Sequence, residues 1–396
     1  MHILYIHQYF KTPAEPGGTR SYWIAQKLIE KGHKVTMLST SSSITNSQEE
    51  QFIDGIRVIY VKVPYDQKMS IAARVKSFVS FMLKSTRLAK GVKGVDLVLA
   101  TSTPLTVGFP ALILKKFKSI PYVFEVRDLW PEVPIQMGGL NNPILKKLAI
   151  AFEKTIYKNA THIVTLSPGM AEGVIKYEAK SKVSMIPNMA KIDAFWPRGV
   201  NDDLREELGL KKDSFKMIHF GALGLANDAM NIIRGAELLK EDLTVEFIFI
   251  GGGSTEEELK AYCKKNALNN VHFLGRFPME KTSEIVNLCD VSMVSFKDLS
   301  ILYTNSPNKL FDSLSAGKPL IVNSAGWTKN MVEEHKCGYY VNPSNPEELK
   351  DCIKYLQSTP TVLQKMGKNS RQLAEKKYDK SILCSEFAEL INTIKL

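Results

Sequence analysis

Residues 306–321, SPNKLFDSLSAGKPLI, read as a short helix running into a strand, and two of their side chains could do chemistry. Ser306 is placed to cap the helix and Pro307 suits its first position. Leu310, Phe311 and Leu314 fall on one side at helical spacing, and Lys309 and Asp312, three residues apart, on another. A cation in a first helical turn opposes the helix dipole. Either Lys309 and Asp312 form a solvated pair, or an anionic ligand is held there. A second cluster, EVRDLWPE (125–132), ends an apolar stretch on charges. Such charges are costly at a buried strand end unless paired or used. Arg127 can pair with Glu125 or Glu132, while Asp128 is placed to meet a reacting hydroxyl.

Glycine clusters complete the set. Gly17 and Gly18 precede Thr19 and Arg20 at a helix start, where backbone can approach a phosphate. The loop is not GxGxxG, so a dinucleotide fingerprint is absent, and a plain tight turn is the alternative. FGALGLAN (220–227) is a second such loop. In Gly251–Gly253 the glycines give room, but the acids Glu256–Glu258 that follow oppose a phosphate at that helix start. Gly275-Arg276-Phe277-Pro278 is placed to edge a base pocket.

These residues follow strands. Near-continuous apolar runs predict strands over 2–9, 34–40, 56–63, 96–103, 122–128, 162–167 and 182–188, alternating with helical patterns. A proline-bearing stretch, 187–203, reads as a linker. Alternation then restarts with strands over 217–221, 245–253, 271–275, 291–296, 319–324 and 338–343, and ends in an amphipathic helix, 382–396. The pattern predicts two doubly wound α/β domains, 1–195 and 196–378, facing a cleft. A C-terminal helix, 379–396, is a candidate to cross back to the first.

The 396 residues carry a net charge of +11, unevenly spread. Residues 1–195 hold 26 Lys+Arg against 14 Asp+Glu, and residues 196–396 hold 26 against 27. One half alone therefore suits a polyanionic partner. From Gln67 to Val95 there are seven basic residues and no acid: Lys68, Arg74, Lys76, Lys84, Arg87, Lys90 and Lys93. Ile71, Val75, Phe78, Val79, Met82 and Leu83 recur between them. This segment reads either as a helix on an anionic membrane surface or as a core-packed helix with a solvated basic face, and Lys115, Lys116 and Lys118 extend the basic patch. Five scattered cysteines with no CxxC argue against disulfides and zinc. No leader is read in Met1-His2-Ile3-Leu4 and no membrane span elsewhere, so a cytoplasmic protein, peripheral at most, is expected. His7 is left open between packing and ligand roles, and Trp23 is read as core.

The order of these pieces resembles a GT-B glycosyltransferase of retaining family 4, the glycosyl transferases group 1. The resemblance spans the whole chain and is carried by the Gly17-Gly18 loop, GGG (251–253), FLGRF (273–277) and DSLSAGKPLI (312–321). RDLWPE (127–132) and SPNKLFD (306–312) are similar to transferases of bacterial polysaccharide and O-antigen assembly, such as those for N-acetylfucosamine. The resemblance implies a nucleotide-sugar donor, with UDP expected, and a glycan or polyprenyl-diphosphate-linked acceptor. It also implies front-face transfer that keeps the anomeric configuration. It assigns Asp312 to the ribose hydroxyls, the backbone of Asn305 and Ser306 to the donor phosphates, and Arg276 and Phe277 to the base. Gly17 and Gly18 let the N-terminal domain close on the diphosphate, Gly221 and Gly251 belong to the donor site, and Asp128 lies near the reacting sugar. Two departures stand out. GALGLAND (221–228) lacks the cations usual in that loop, and the first acid of the family's pair is Thr304. Lys309, with Arg20 second, is the expected replacement cation. No DxD motif is present, Asp202-Asp203 reads as a solvated pair, and neither a metal nor a cofactor is expected. A nucleotide-sugar epimerase of the same architecture is the nearest rival. A nucleic-acid-binding protein or a membrane adaptor is a rival of another class, although no nucleic-acid recognition motif stands out.

Overall fold

Apolar runs of five to eight residues become buried parallel strands, because a sheet covered by helices on both faces wants no polar side. The computed structural model describes residues 1–15, 17–65 and 69–395, in two units: Met1–Pro187 with Ser381–Leu396, and Asn188–Lys380.

The first unit holds strands β1 (His2–Ile6), β2 (Lys34–Ser41), β3 (Gln48–Ile53), β4 (Ile56–Lys62), β5 (Leu97–Thr101), β6 (Tyr122–Val126), β7 (His162–Thr165) and β8 (Val183–Met185). Their order is β3-β4-β2-β1-β5-β6-β7-β8, and only the β3–β4 pairing is antiparallel. Periodicity did not predict β3, QEEQFI, because as an edge strand it is largely solvated. Its signal was the turn: Asp54 and Gly55 both have positive φ, as a two-residue hairpin requires.

The second unit holds β9 (Phe215–Ala222), β10 (Val245–Gly252), β11 (Val271–Gly275), β12 (Val291–Val294), β13 (Leu320–Val322) and β14 (Gly338–Tyr340), all parallel, in the order β11-β10-β9-β12-β13-β14. The order reverses direction beside β9, so the loops after β9 and β12 open at the switch point where such sheets bind ligands.

The unit boundary falls earlier than residue 195, and the stretch after Pro187 is not loose. Asn188 bonds Ser306, Ala190 bridges to Asp379, and Met189, Ala190 and Phe195 are buried. The C-terminal helix, Lys380–Thr393, falls almost wholly in the first unit. Asp202 and Asp203 open a short helix capped by Asn201 and are both exposed, as the solvated-pair reading expects, with Asp202 meeting Arg205.

The Ile71–Gly91 helix packs one face on the core, as the second reading of its sequence expects. Phe78, Phe81, Ser85 and Ala89 are buried, while Ile71, Val75, Val79 and Leu83, spaced by four, form an exposed apolar stripe. Gln67 and Lys68, which began the basic stretch, lie outside the described residues.

One buried acid has a measurable consequence. Burial raises the Glu153 carboxyl, on the Pro143–Asn159 helix, to about 7, despite a hydrogen bond with Tyr157. A carboxyl with a raised folded pKa contributes stability while protonated and loses it as pH climbs from the unfolded value near 4.5 through 7. The difference is worth about 3 kcal/mol. Glu153→Gln should therefore raise the melting temperature by about 5 °C at pH 8 and leave it unchanged at pH 4.5, as read by calorimetry.

Candidate functional site

Lys309 does not pair with Asp312. The helix that carries both runs Asn308–Ser315, with Pro307 as its N-cap and no side-chain cap. It starts two residues after Ser306, whose hydroxyl instead accepts the Asn188 main-chain N–H at 3.2 Å. From its first turn Lys309 reaches to the end of β9, where Nζ donates to His219 Nε2 at 3.0 Å and to Asn227 Oδ1 at 3.3 Å. His219 is fully buried, and its Nδ1 donates to the Met293 carbonyl at 3.1 Å, which leaves Nε2 as the acceptor. Burial and the neighbouring Lys309 hold the His219 imidazole well below its ordinary pKa, so it is neutral. Burial also pulls the Lys309 ammonium down to about 7. The result is a desolvated cation held by two neutral acceptors.

Around this cation the backbone is close. A Cβ on Gly221, whose φ is +111°, would lie 3.4 Å from Lys309 Cε. A Cβ on Gly251 would overlap the Gly221 carbonyl oxygen at 1.8 Å, so both positions need glycine. Lys309 thus enters the loop that lacks a cation of its own.

Asp312 is buried, and its Oδ1 lies 2.7 Å from Lys191 Nζ. Burial raises its pKa and Lys191 opposes the rise. Asn305 offers its carbonyl to Trp327 Nε1 at 2.5 Å, and the Ser306 carbonyl accepts from Asn188 Nδ2 at 2.5 Å. These contacts fix the turn ahead of the helix, whose first N–H groups lack intrahelical partners. Arg276 is exposed and lies across Gly252 beside Glu256, while Phe277 packs on the core near Phe195 and Phe220.

In the first unit, Gly17 (φ +139°) and Gly18 stand ahead of the Arg20–Glu30 helix. Arg20 is itself buried, and each of its guanidinium nitrogens has an internal partner. Nε meets Glu125 Oε1 at 2.8 Å, Nη2 meets the Ile186 carbonyl at 2.9 Å, and Nη1 meets the Pro187 carbonyl. Glu125 is therefore the partner of Arg20 and not of Arg127. This corrects the expected donor role of Arg20: its guanidinium is an internal brace tying β6 to the end of the unit.

The carboxyl ends of β1, β5 and β6 gather a second polar cluster. Asp128 Oδ2 accepts from Thr103 Oγ1 at 2.7 Å, and Ser102 Oγ accepts the Arg127 main-chain N–H at 2.9 Å. Arg127 Nη1 lies 3.3 Å from His7 Nε2, and His7 Nδ1 lies 2.8 Å from Ser21 Oγ. Burial first, then Arg127, holds His7 well below its ordinary pKa. Burial raises the Asp128 carboxyl, against the Thr103 hydrogen bond and Arg127. This cluster brings a carboxyl of raised basicity and a neutral imidazole to neighbouring strand ends, a set suited to orienting a hydroxyl or moving its proton.

Three participants escaped sequence reasoning: His219, Asn227 and Lys191. His219 interrupts an otherwise apolar strand, MIHFG, which was its signal. Asn227 ends a glycine loop, and Lys191 sat in a stretch read as linker.

The chain matches two family models, "Glycosyl transferases group 1" over residues 200–373 and "Glycosyl transferase 4-like domain" over residues 17–189. It is 23% identical to spore coat protein SA of Bacillus subtilis over 392 residues, 92% of each chain. It is 26% identical over 227 residues to the Escherichia coli UDP-Gal:alpha-D-GlcNAc-diphosphoundecaprenol alpha-1,3-galactosyltransferase, covering 54% of this chain and 55% of that one. The Anabaena HepE structure in complex with UDP-glucose superposes with a TM-score of 0.72 at 17% identity, covering 99% of this chain and 100% of the other. With one family model on each α/β unit, the chain belongs to the group 1 glycosyl transferases and is a sugar-transferring enzyme of the GT-B fold.

Proposed function

We propose that this enzyme moves a sugar, an N-acetylated amino sugar, from its UDP-activated form to a hydroxyl of a lipid-linked glycan, with retained anomeric configuration and no metal. One observation carries the donor half: Lys309 is held desolvated over Gly221, in the loop where the family places its own cations. An ammonium aimed at a departing diphosphate acts where charge develops. UDP is supported by the UDP-glucose complex of HepE, and the lipid-diphosphate acceptor by the name of the Escherichia coli relative. The amino sugar is supported by RDLWPE and SPNKLFD. Gly17, Gly18, Gly221 and Gly251 give the donor room, Asn305 and Ser306 offer backbone to its phosphates, and Arg276 and Phe277 border its base.

The enzyme works, in this proposal, against an anionic membrane face inside the cell. The exposed stripe of Ile71, Val75, Val79 and Leu83 beside Lys76 suits that surface. No helix among the described residues is long and apolar enough to cross a membrane.

Asp312 provides the test. As a ribose contact, its loss should weaken every UDP ligand, but Asp312→Ala also strands the buried Lys191 charge and should cost about 3–5 kcal/mol of stability. Asp312→Leu with Lys191→Met removes both charges and should restore the melting temperature. Calorimetric titration of that double variant should still show UDP affinity reduced about tenfold or more. Wild-type affinity in the refolded pair would remove Asp312 from the site. Turnover of the UDP-sugar unchanged by EDTA is the outcome expected for metal independence.

A further inference from the structure

A groove of about 940 Å³ lies in the first unit, between the β4 face and the C-terminal half of the Ile71–Gly91 helix. It belongs to neither polar cluster described above. His2 and Lys34 place it at the amino ends of β1 and β2, whereas Asp128 and His7 follow the carboxyl ends of β6 and β1. Arg57, Ile59 and Val61 alternate along β4 to form one wall, and Lys84, Arg87 and Leu88 descend from the helix to form another.

Among the described residues five cations line it: Lys34, Arg57, Lys84, Arg87 and Lys93. The lone carboxylate on its lining among the described residues, Glu50, is already taken, since Arg57 Nε and Nη2 clamp its two oxygens at 2.7 Å each. Lys84 Nζ donates to the Lys62 carbonyl at 2.7 Å. Among the described residues Lys34, Arg87 and Lys93 form no ion pair. A helix C-terminus favours nearby cations, which accounts for Arg87 and Lys93. It does not account for Lys34, brought by β2, whereas Arg57, brought by β4, is matched by Glu50. The β2 strand and the end of the helix thus turn unpaired like charges onto one concave surface, where walls of low dielectric focus their field. The floor is built too: the buried His2 ring bonds Thr36 Oγ1 at 2.9 Å and the Lys93 carbonyl at 3.1 Å, holding the strand ends and the residue after the helix together.

We propose that this groove is a second anion site, which binds a phosphate- or diphosphate-bearing group apart from the donor nucleotide. Its volume suits a small phosphorylated molecule or the headgroup of an anionic lipid. The two sources share one chemistry and are separated by experiment.

Inorganic pyrophosphate is titrated calorimetrically into the full chain, and sedimentation is followed with vesicles of phosphatidylglycerol or of phosphatidylcholine. The test variant is Arg87→Gln with Lys93→Gln, with Arg87→Lys plus Lys93→Arg as the charge-preserving partner. Pyrophosphate binding that persists in Lys309→Met and falls at least tenfold in the double Gln variant identifies a free phosphate ligand. Absent pyrophosphate binding, with sedimentation on phosphatidylglycerol reduced at least tenfold by the same variant, identifies a lipid headgroup. In either case the charge-preserving variant should behave as wild type, and UDP affinity in the double Gln variant should stay within twofold. The proposal is overturned if neither ligand notices the double Gln variant. It is also overturned if Lys115→Gln with Lys116→Gln, outside the groove, lowers binding equally. Pyrophosphate binding lost in Lys309→Met alone would leave the donor-site reading standing and remove this one.

Discussion

Lys309→Met is expected to lower UDP affinity about a hundredfold, some 2.7 kcal/mol, and turnover by at least as much, while making the empty enzyme more stable. The second half of this result separates a functional lysine from a structural one. Burial holds the Lys309 ammonium at about 7 in the fold, against 10.5 in the unfolded chain. Below pH 7 the folded protein therefore keeps a desolvated charge, at a cost that linkage puts at about 5 kcal/mol. The unfolded chain binds more protons between pH 7 and 10.5, so stability rises with pH across that window. Methionine removes the penalty, less what the hydrogen bonds to His219 and Asn227 contribute. The variant should melt higher than wild type at pH 6 and lose that advantage by pH 10.

The same group predicts how the donor binds. A diphosphate beside Nζ favours the charged form and raises its pKa. At pH 8, where the free enzyme's lysine is mostly neutral, UDP binding should take up close to one proton. Calorimetry in buffers of differing ionisation enthalpy reads this directly. Affinity should fall by up to tenfold per pH unit above 7, until the pH reaches the pKa of the bound state. A Lys309→Met enzyme with wild-type UDP affinity and wild-type proton uptake would remove the lysine from the donor site.

That lysine also shows where a sequence stops being readable. Strands such as YVFEV and VEFIFIGG were legible because burial on both faces leaves a continuous apolar run. The helix 308–315 was legible from its spacing, and the oddity of a cation in its first turn pointed to use. Its partners were not legible. His219 lies 90 residues away on another strand and meets Lys309 only because β9 lies beside β12, which leads into that helix. Arg20 failed for a related reason. Position at a helix start suggested a phosphate contact, but the positions of Glu125 and of the Ile186 and Pro187 carbonyls are set by the sheet. Lys191 was hidden by its neighbours, since prolines on either side made a buried segment resemble a linker. Local pattern reports which residues are buried; which polar groups then meet is decided by crossover connections.

Asp128→Asn is expected to cut turnover by about two to three orders of magnitude while leaving UDP affinity within about twofold. The donor contacts proposed for Lys309 and Asp312 lie in the second unit, and Asp128 lies in the first, so the carboxyl's loss should be felt in chemistry and not in nucleotide binding. Asparagine keeps the shape and still accepts the Thr103 hydroxyl, so the fold around β6 is not disturbed. The pH profile gives an independent reading. Burial places the Asp128 carboxyl above the ordinary carboxylate range, and the Thr103 hydrogen bond restrains that rise. If the ionised carboxyl orients or deprotonates the acceptor hydroxyl, kcat/KM should fall on the acid side at a pH above that of a free aspartate. Thr103→Val should move that limb to still higher pH, because the charged form loses the hydrogen bond that favours it. In Asp128→Asn the limb should vanish along with the rate. Equal losses of donor affinity and turnover, or an acid limb that ignores Thr103→Val, would assign Asp128 to holding the loop in place and send the search for the acceptor's partner to His7 and Arg127, its neighbours at the same strand ends.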